Sequence, residues 1–134
     1  MKVGITGTRE GMNQKQAKQV YEFLSQFPAG TEFHHGDCKG VDCQAALIAK
    51  NLNFKIVCHP PLSSEMQGFF GGDEVREKLG YLARDRNIVD ETDTLIVVPL
   101  HDEWQPKGGT WYTHDYAIKR VNRLRYFIHT GRNS

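Results

Sequence analysis

The sequence predicts an α/β fold: an open, mainly parallel, five-stranded sheet with helices on both faces. Three observations predict it. Apolar or alternating runs of strand length alternate with helix-period runs along all 134 residues, giving the order β-α-β-α-β-α-β-α-β that layers helices on a sheet. One strand run, TLIVVPL at residues 94–100, is apolar almost throughout, as a strand covered on both faces must be. Three strand runs end in glycine-bearing loops suited to turning a strand into a helix.

KVGIT, residues 2–6, is the first strand and turns at Gly7. A helix follows over QKQAKQVYEFLSQF, where Ala17, Val20, Tyr21, Leu24 and Phe27 recur at the helical period. The segment PAG at 28–30 ends it, and TEFHH is the second strand. The next helix starts near Val41 and turns Val41, Ala45, Ile48, Ala49 and Leu52 inward. FKIVCH is the third strand, opening into an irregular, glycine-rich passage from Pro60 to Glu74. Helix resumes over EKLGYLARDRNIVDET, TLIVVPL is the fourth strand, Tyr112 to Val121 read as helix, and LRYFIH is the fifth strand.

The length suits one domain, residues 1–130, with a polar tail at 131–134. A net charge of +1 argues against bulk nucleic-acid binding, which calls for a strongly basic surface. No apolar run reaches the ~20 residues of a membrane helix, and the first residues enter a strand directly, without a leader pattern. Cys38, Cys43 and Cys58 form no CxxC pair, which suits three thiols in a reducing cytoplasm.

In sheets of this kind ligands bind beyond the carboxyl ends of the strands, where the strand order reverses. If the first and fourth strands are neighbours there, three loops face one crevice: GTRE (7–10), GDCKGVD (36–42) and QPKGGT (105–110). Each carries glycine and a cation, Arg9, Lys39 or Lys107. Glycines admit a phosphate to backbone N–H groups, helix N-termini supply oriented donors, and Thr8 and Thr110 add hydroxyls. The alternative is that each glycine serves only a tight turn. Arg84, Arg86 and Asn87 precede the fourth strand and do not share one helical face, so only some of them reach the crevice. Arg84 reads equally well as an ion-pair partner of Asp85 or Asp90.

GITGTRE, HHGDCKGVDCQAA, RDRN and KGGT, in that order, resemble the SLOG superfamily, which includes the Lonely Guy phosphoribohydrolases, the DNA-uptake protein DprA and nucleotide-signal sensor domains. The resemblance covers nearly the whole chain and is strongest to small stand-alone members. It implies a Rossmann-like three-layer sandwich, a homo-oligomer (dimer or tetramer), and a pocket for nucleotides or their ribosylated relatives. Carried over by position, the ligand site would use Gly7, Thr8, Arg9, Gly36, Asp37, Lys39, Gly40, Asp42, Arg86, Asn87, Lys107, Gly108, Gly109 and Thr110.

One departure bears on activity. The phosphoribohydrolases carry a pattern like PGGxGTxxE, whose glutamate acts on the ribose–base bond; here Thr113 stands three positions beyond Thr110. Asp115 is five positions on, roughly 200° around the helix from that glutamate's place. Asp42 and Asp115 remain as catalytic candidates, with Asp37 and Glu10 on nearby loops. Asp42 also reads as a helix cap and Asp37 as a turn former.

His34, His35, Cys38 and Cys43 match no zinc spacing, and adjacent strand residues point to opposite faces, so no metal is expected there. Phe69 and Phe70 ride among Gly68, Gly71 and Gly72, and serve either as a base-stacking lid or as a patch covered by a second subunit. Trp104, Trp111 and Tyr112 invite the same two readings. KRVNRLR at 119–125 is a basic run suited to a solvated helix end or to nucleic acid. The expectation is a cytoplasmic protein that needs no cofactor and senses or sequesters an ADP-ribose-like or cyclic nucleotide signal without cleavage. Partners beyond that ligand and further copies of the chain, whether membrane or nucleic acid, are not expected. N-glycosidic hydrolysis is the alternative, and DprA-like single-strand binding the second.

Overall fold

A computed structural model describes residues 1–106, 108–119 and 124–131. Strand β1 (Lys2–Gly7) leads to helix α1 (Gln14–Leu24), then β2 (Glu32–His35), α2 (Val41–Asn51), β3 (Lys55–Cys58) and β4 (Glu74–Val75). Helix α3 (Tyr81–Glu91), β5 (Thr94–Val98), α4 (Gly109–Lys119) and β6 (Leu124–Phe127) complete the described chain. The strands form one sheet in the order β4-β3-β2-β1-β5-β6, parallel at every pairing. The expected class is present with six strands rather than five. The extra one, β4, is a two-residue edge strand within the passage expected to be irregular, too short to show an alternating pattern.

The apolar periods place each layer. Val20 and Leu24 of α1 and Ala45 and Ala49 of α2 pack on Val3, Ile5, Phe33 and Ile56 on one face of the sheet. Ile88 and Val89 of α3 and Ala117 of α4 pack on Leu95 and Val97 on the other. All five residues of β5 are buried, as its unbroken apolar run requires. Tyr21, expected on the inner face of α1, is 52% exposed, while Phe23 packs against the core and stacks on Tyr126.

Helix α1 begins with a capping box: the Asn13 side chain accepts from the Gln16 N–H, and the Gln16 side chain accepts from the Asn13 N–H. Buried Gln16 also donates to the carbonyl of Pro99, 3.0 Å away. One cap thereby holds the loops after β1 and β5 together. Among the described residues, no helix is long and apolar enough to cross a membrane.

Candidate functional site

Strands β1 and β5 are hydrogen-bonded neighbours, with β2 flanking β1 on the far side. Strand order reverses between β1 and β5, and a cavity of about 600 Å³ opens beyond their carboxyl ends. Its walls are the loop after β1, the start of α2, one side of α3, and the turn into α4.

The floor is charged. Asp42, in the first turn of α2, accepts hydrogen bonds from the Gly36 N–H at 3.0 Å and the Cys38 N–H at 3.4 Å. Burial still pushes its pKa up to about 6, against the pull of Arg84 and these two donors. Asp85 is likewise raised to about 6 by burial, although the Arg84 Nε–H donates to it at 2.7 Å. The guanidinium of Arg84 donates also to the Gly36 carbonyl, so this buried cation ties α3 to the end of β2.

The rim is mixed. Arg9 is exposed, and its guanidinium carbon lies 5.5 Å from the centre of the Tyr81 ring, the same distance as that of Arg84. Across the cavity, Gly108, Gly109 and Thr110 lead into α4. A side chain on Gly108, where φ is +106°, would meet nothing within 4 Å, so this turn is open. The first N–H groups of a helix lack intrahelical acceptors and attract anions. The arrangement can hold a negatively charged group between α4 and Arg9, with two titratable carboxyls beneath.

The structure brings together Gly7, Thr8, Arg9, Asp42, Gly108, Gly109 and Thr110. Lys107 and residues 120–123 of the basic run lie outside the described residues. Gly40 and Gly36 are filled by protein: a Cβ at Gly40, where φ is +90°, would stand 2.4 Å from the Arg9 carbonyl oxygen, and one at Gly36 would stand 2.6 Å from Arg84 Nη1. Lys39 is exposed and does not line the cavity. Asp37 is buried away from it, accepting from the N–H groups of Phe70 and Gly71 at 2.8 and 3.2 Å and from Gln67 at 2.9 Å. Its carboxylate pins the 60–74 passage to the end of β2.

Arg86 points outward and donates to the Tyr112 hydroxyl at 2.9 Å, and Asn87 does not line the cavity either. Asp115 accepts from the Trp104 indole at 3.0 Å outside the cavity, and buried Thr113 donates back to the Gly109 carbonyl at 2.7 Å. Phe70 packs against the core and edge-on to His35, while Phe69 is 69% exposed; neither lines the cavity. His34 and His35 do take opposite faces, and both are buried because both faces are covered.

Asp85 and Tyr81 line the cavity without having been singled out from the sequence, Tyr112, read there as a stacking or subunit-contact residue, lines it too, and Arg84, weighed below Arg86, lies in its floor. The available signal was phase: Arg84 shares the apolar stripe of Ile88, while Arg86 lies nearly opposite.

No protein-family model matches the chain, and no curated protein matches it by sequence. Solved structures do. The molybdenum cofactor binding protein of the phototrophic bacterium Rippkaea orientalis superposes with a TM-score of 0.69 at 21% identity, over 94% of this chain and 76% of that one. DprA of Streptococcus pneumoniae gives 0.68 at 21% identity, over 94% of this chain and 49% of its own, so the chain spans about half of that protein. DprA of Helicobacter pylori, described for its single-stranded DNA binding mode, gives 0.60 at 21% identity over 92% and 63%. The chain therefore shares the Rossmann-like α/β fold of these structures.

Proposed function

We propose that the protein binds a nucleotide-derived, phosphate-bearing small molecule in this crevice, the phosphate between the Gly108–Thr110 turn and Arg9. The ribose and base lie over Asp42, Asp85 and Tyr81. The observation that carries this reading is the open helix N-terminus of α4 facing Arg9 across a cavity large enough for a nucleotide. Neighbours named for cofactor binding and for DNA processing agree with a ligand-holding role. An ADP-ribose-like or cyclic nucleotide is the expected class, held rather than cut, because Thr113 occupies the helix position where hydrolases of the resembling family carry glutamate.

The test is retention. The protein is mixed with mononucleotides, ADP-ribose and its cyclic isomers, cyclic dinucleotides and a single-stranded oligonucleotide, then washed, denatured and analysed by mass. An intact small ligand supports the reading. Retention of the oligonucleotide alone replaces it with a DNA-binding role, and no retention at millimolar concentration ends it.

A second reading is N-glycosidic hydrolysis, favoured by one observation: Asp42 and Asp85 both line the cavity and both titrate near pH 6. Carboxyls so tuned serve as acid and base at neutral pH. It predicts recovered base and ribose phosphate, abolished by D85N while ligand retention persists.

A further inference from the structure

We propose that His34, His59 and Glu91 form a site for one divalent metal ion of the zinc class, separate from the crevice. His34 and His59 are fully buried at the ends of neighbouring strands, and Glu91 closes α3 above them. His34 Nδ1 stands 2.8 Å from His59 Nε2, and His34 Nε2 stands 2.8 Å from Glu32 Oε1. On the other side His59 Nδ1 faces Glu91 Oε2 at 3.8 Å.

His34 Nδ1 and His59 Nε2 face each other, while the other ring nitrogen of His34 faces Glu32 and that of His59 faces Glu91, so the two buried rings turn one nitrogen each toward a shared point.

One ligand atom from each of His34, His59 and Glu91 lies within 4.8 Å of the others. Two imidazoles and a carboxylate are the ligand chemistry of zinc and its first-row neighbours. Glu32 stands where an outer carboxylate fixes the tautomer of a ligating histidine. Arg76 binds only Glu91 Oε1, at 2.9 and 3.0 Å, and leaves Oε2 to the site. Glu91 is partly exposed, which gives the ion an entry and a water as fourth ligand. On binding, the ion takes the place of the proton between the two rings, and that proton moves to His59 Nδ1, so both imidazoles ligate as neutral groups.

The experiment uses the full chain, stripped with chelator and titrated with Zn²⁺ and Co²⁺. The expected result is one ion per chain by elemental analysis and visible Co²⁺ absorption. H59Q and E91Q should bind no ion, and E32Q should bind at least ~10-fold more weakly. H129Q, on an exposed histidine, should behave as wild type. Circular dichroism identifies any variant that fails to fold, and E91Q, altered at a part-exposed position, keeps the test valid if H59Q does. Absence of a bound ion overturns the proposal, as does unchanged stoichiometry in folded E91Q. None of these outcomes depends on whether a nucleotide binds the crevice.

Discussion

The guanidinium of Arg84 lies against the Cα of Gly36, so close that a methyl group there would stand 2.6 Å from Nη1 and 2.8 Å from Cζ. Gly36 is therefore glycine for the sake of a side chain 48 residues away. Gly36→Ala should displace Arg84, unpairing a buried cation from Asp85 and the Gly36 carbonyl. The expected cost is about 1–3 kcal/mol, the usual penalty of overpacking. Urea denaturation measures it, and a wild-type midpoint would show that Arg84 has somewhere else to go.

Arg9 offers the converse. It is exposed, and its contact with the Tyr81 ring is a weak one. Arg9→Ala should leave the denaturation midpoint within about 0.5 kcal/mol of wild type. It should weaken a retained phosphate ligand at least ~10-fold, the value of one charge-assisted hydrogen bond. Isothermal titration with the ligand found by retention tests both halves.

The two floor carboxyls predict a pH dependence with a definite sign. Asp42 and Asp85 have an ordinary value of 3.8 and sit near 6 when folded. Between these values the native state binds more protons than the unfolded one, so stability falls as pH rises from about 4 to about 6. Asp85→Asn should flatten that slope, as thermal midpoints at pH 4, 5, 6 and 7 would show. Protonation also removes negative charge from the cavity, so an anionic ligand should bind more tightly at pH 5.5 than at 7.5.

Two adjacent phenylalanines should respond oppositely. Phe70 packs on the core beside His35, and Phe70→Ala should cost about 2–3 kcal/mol. Phe69 is exposed at φ +57°, a conformation that L side chains disfavour. Phe69→Gly should raise stability by about 1 kcal/mol. A ligand whose affinity depends on Phe69 would revive the stacking lid.

Periodicity and punctuation made the fold legible. An unbroken apolar β5 and glycine turns after β1 and before α4 were enough to place the crevice between β1 and β5. What escaped was anything decided by tertiary contact. Asp37 carries the spacing of a ligand residue, yet its oxygens hold Gln67, Phe70 and Gly71, a passage with no secondary-structure pattern to pair it with. Asp85 looked like a surface partner of Arg84, and only the packing of α3 against α4 puts both beneath the Gly109 turn. His59 lies 25 residues from His34, and only the parallel pairing of β2 and β3 makes them neighbours.

The central pairing of β1 (residues 2–7) with β5 (residues 94–98) also has a consequence in time. On the ribosome, β1 emerges long before the strand that completes it, and α4, whose first turn lines the cavity, emerges later still. Until then the inner edge of β1 has no partner, and closing so long a loop makes the pairing slow. During synthesis this edge stays unpaired, and the crevice beyond β1 comes into being only as the last third of the chain folds.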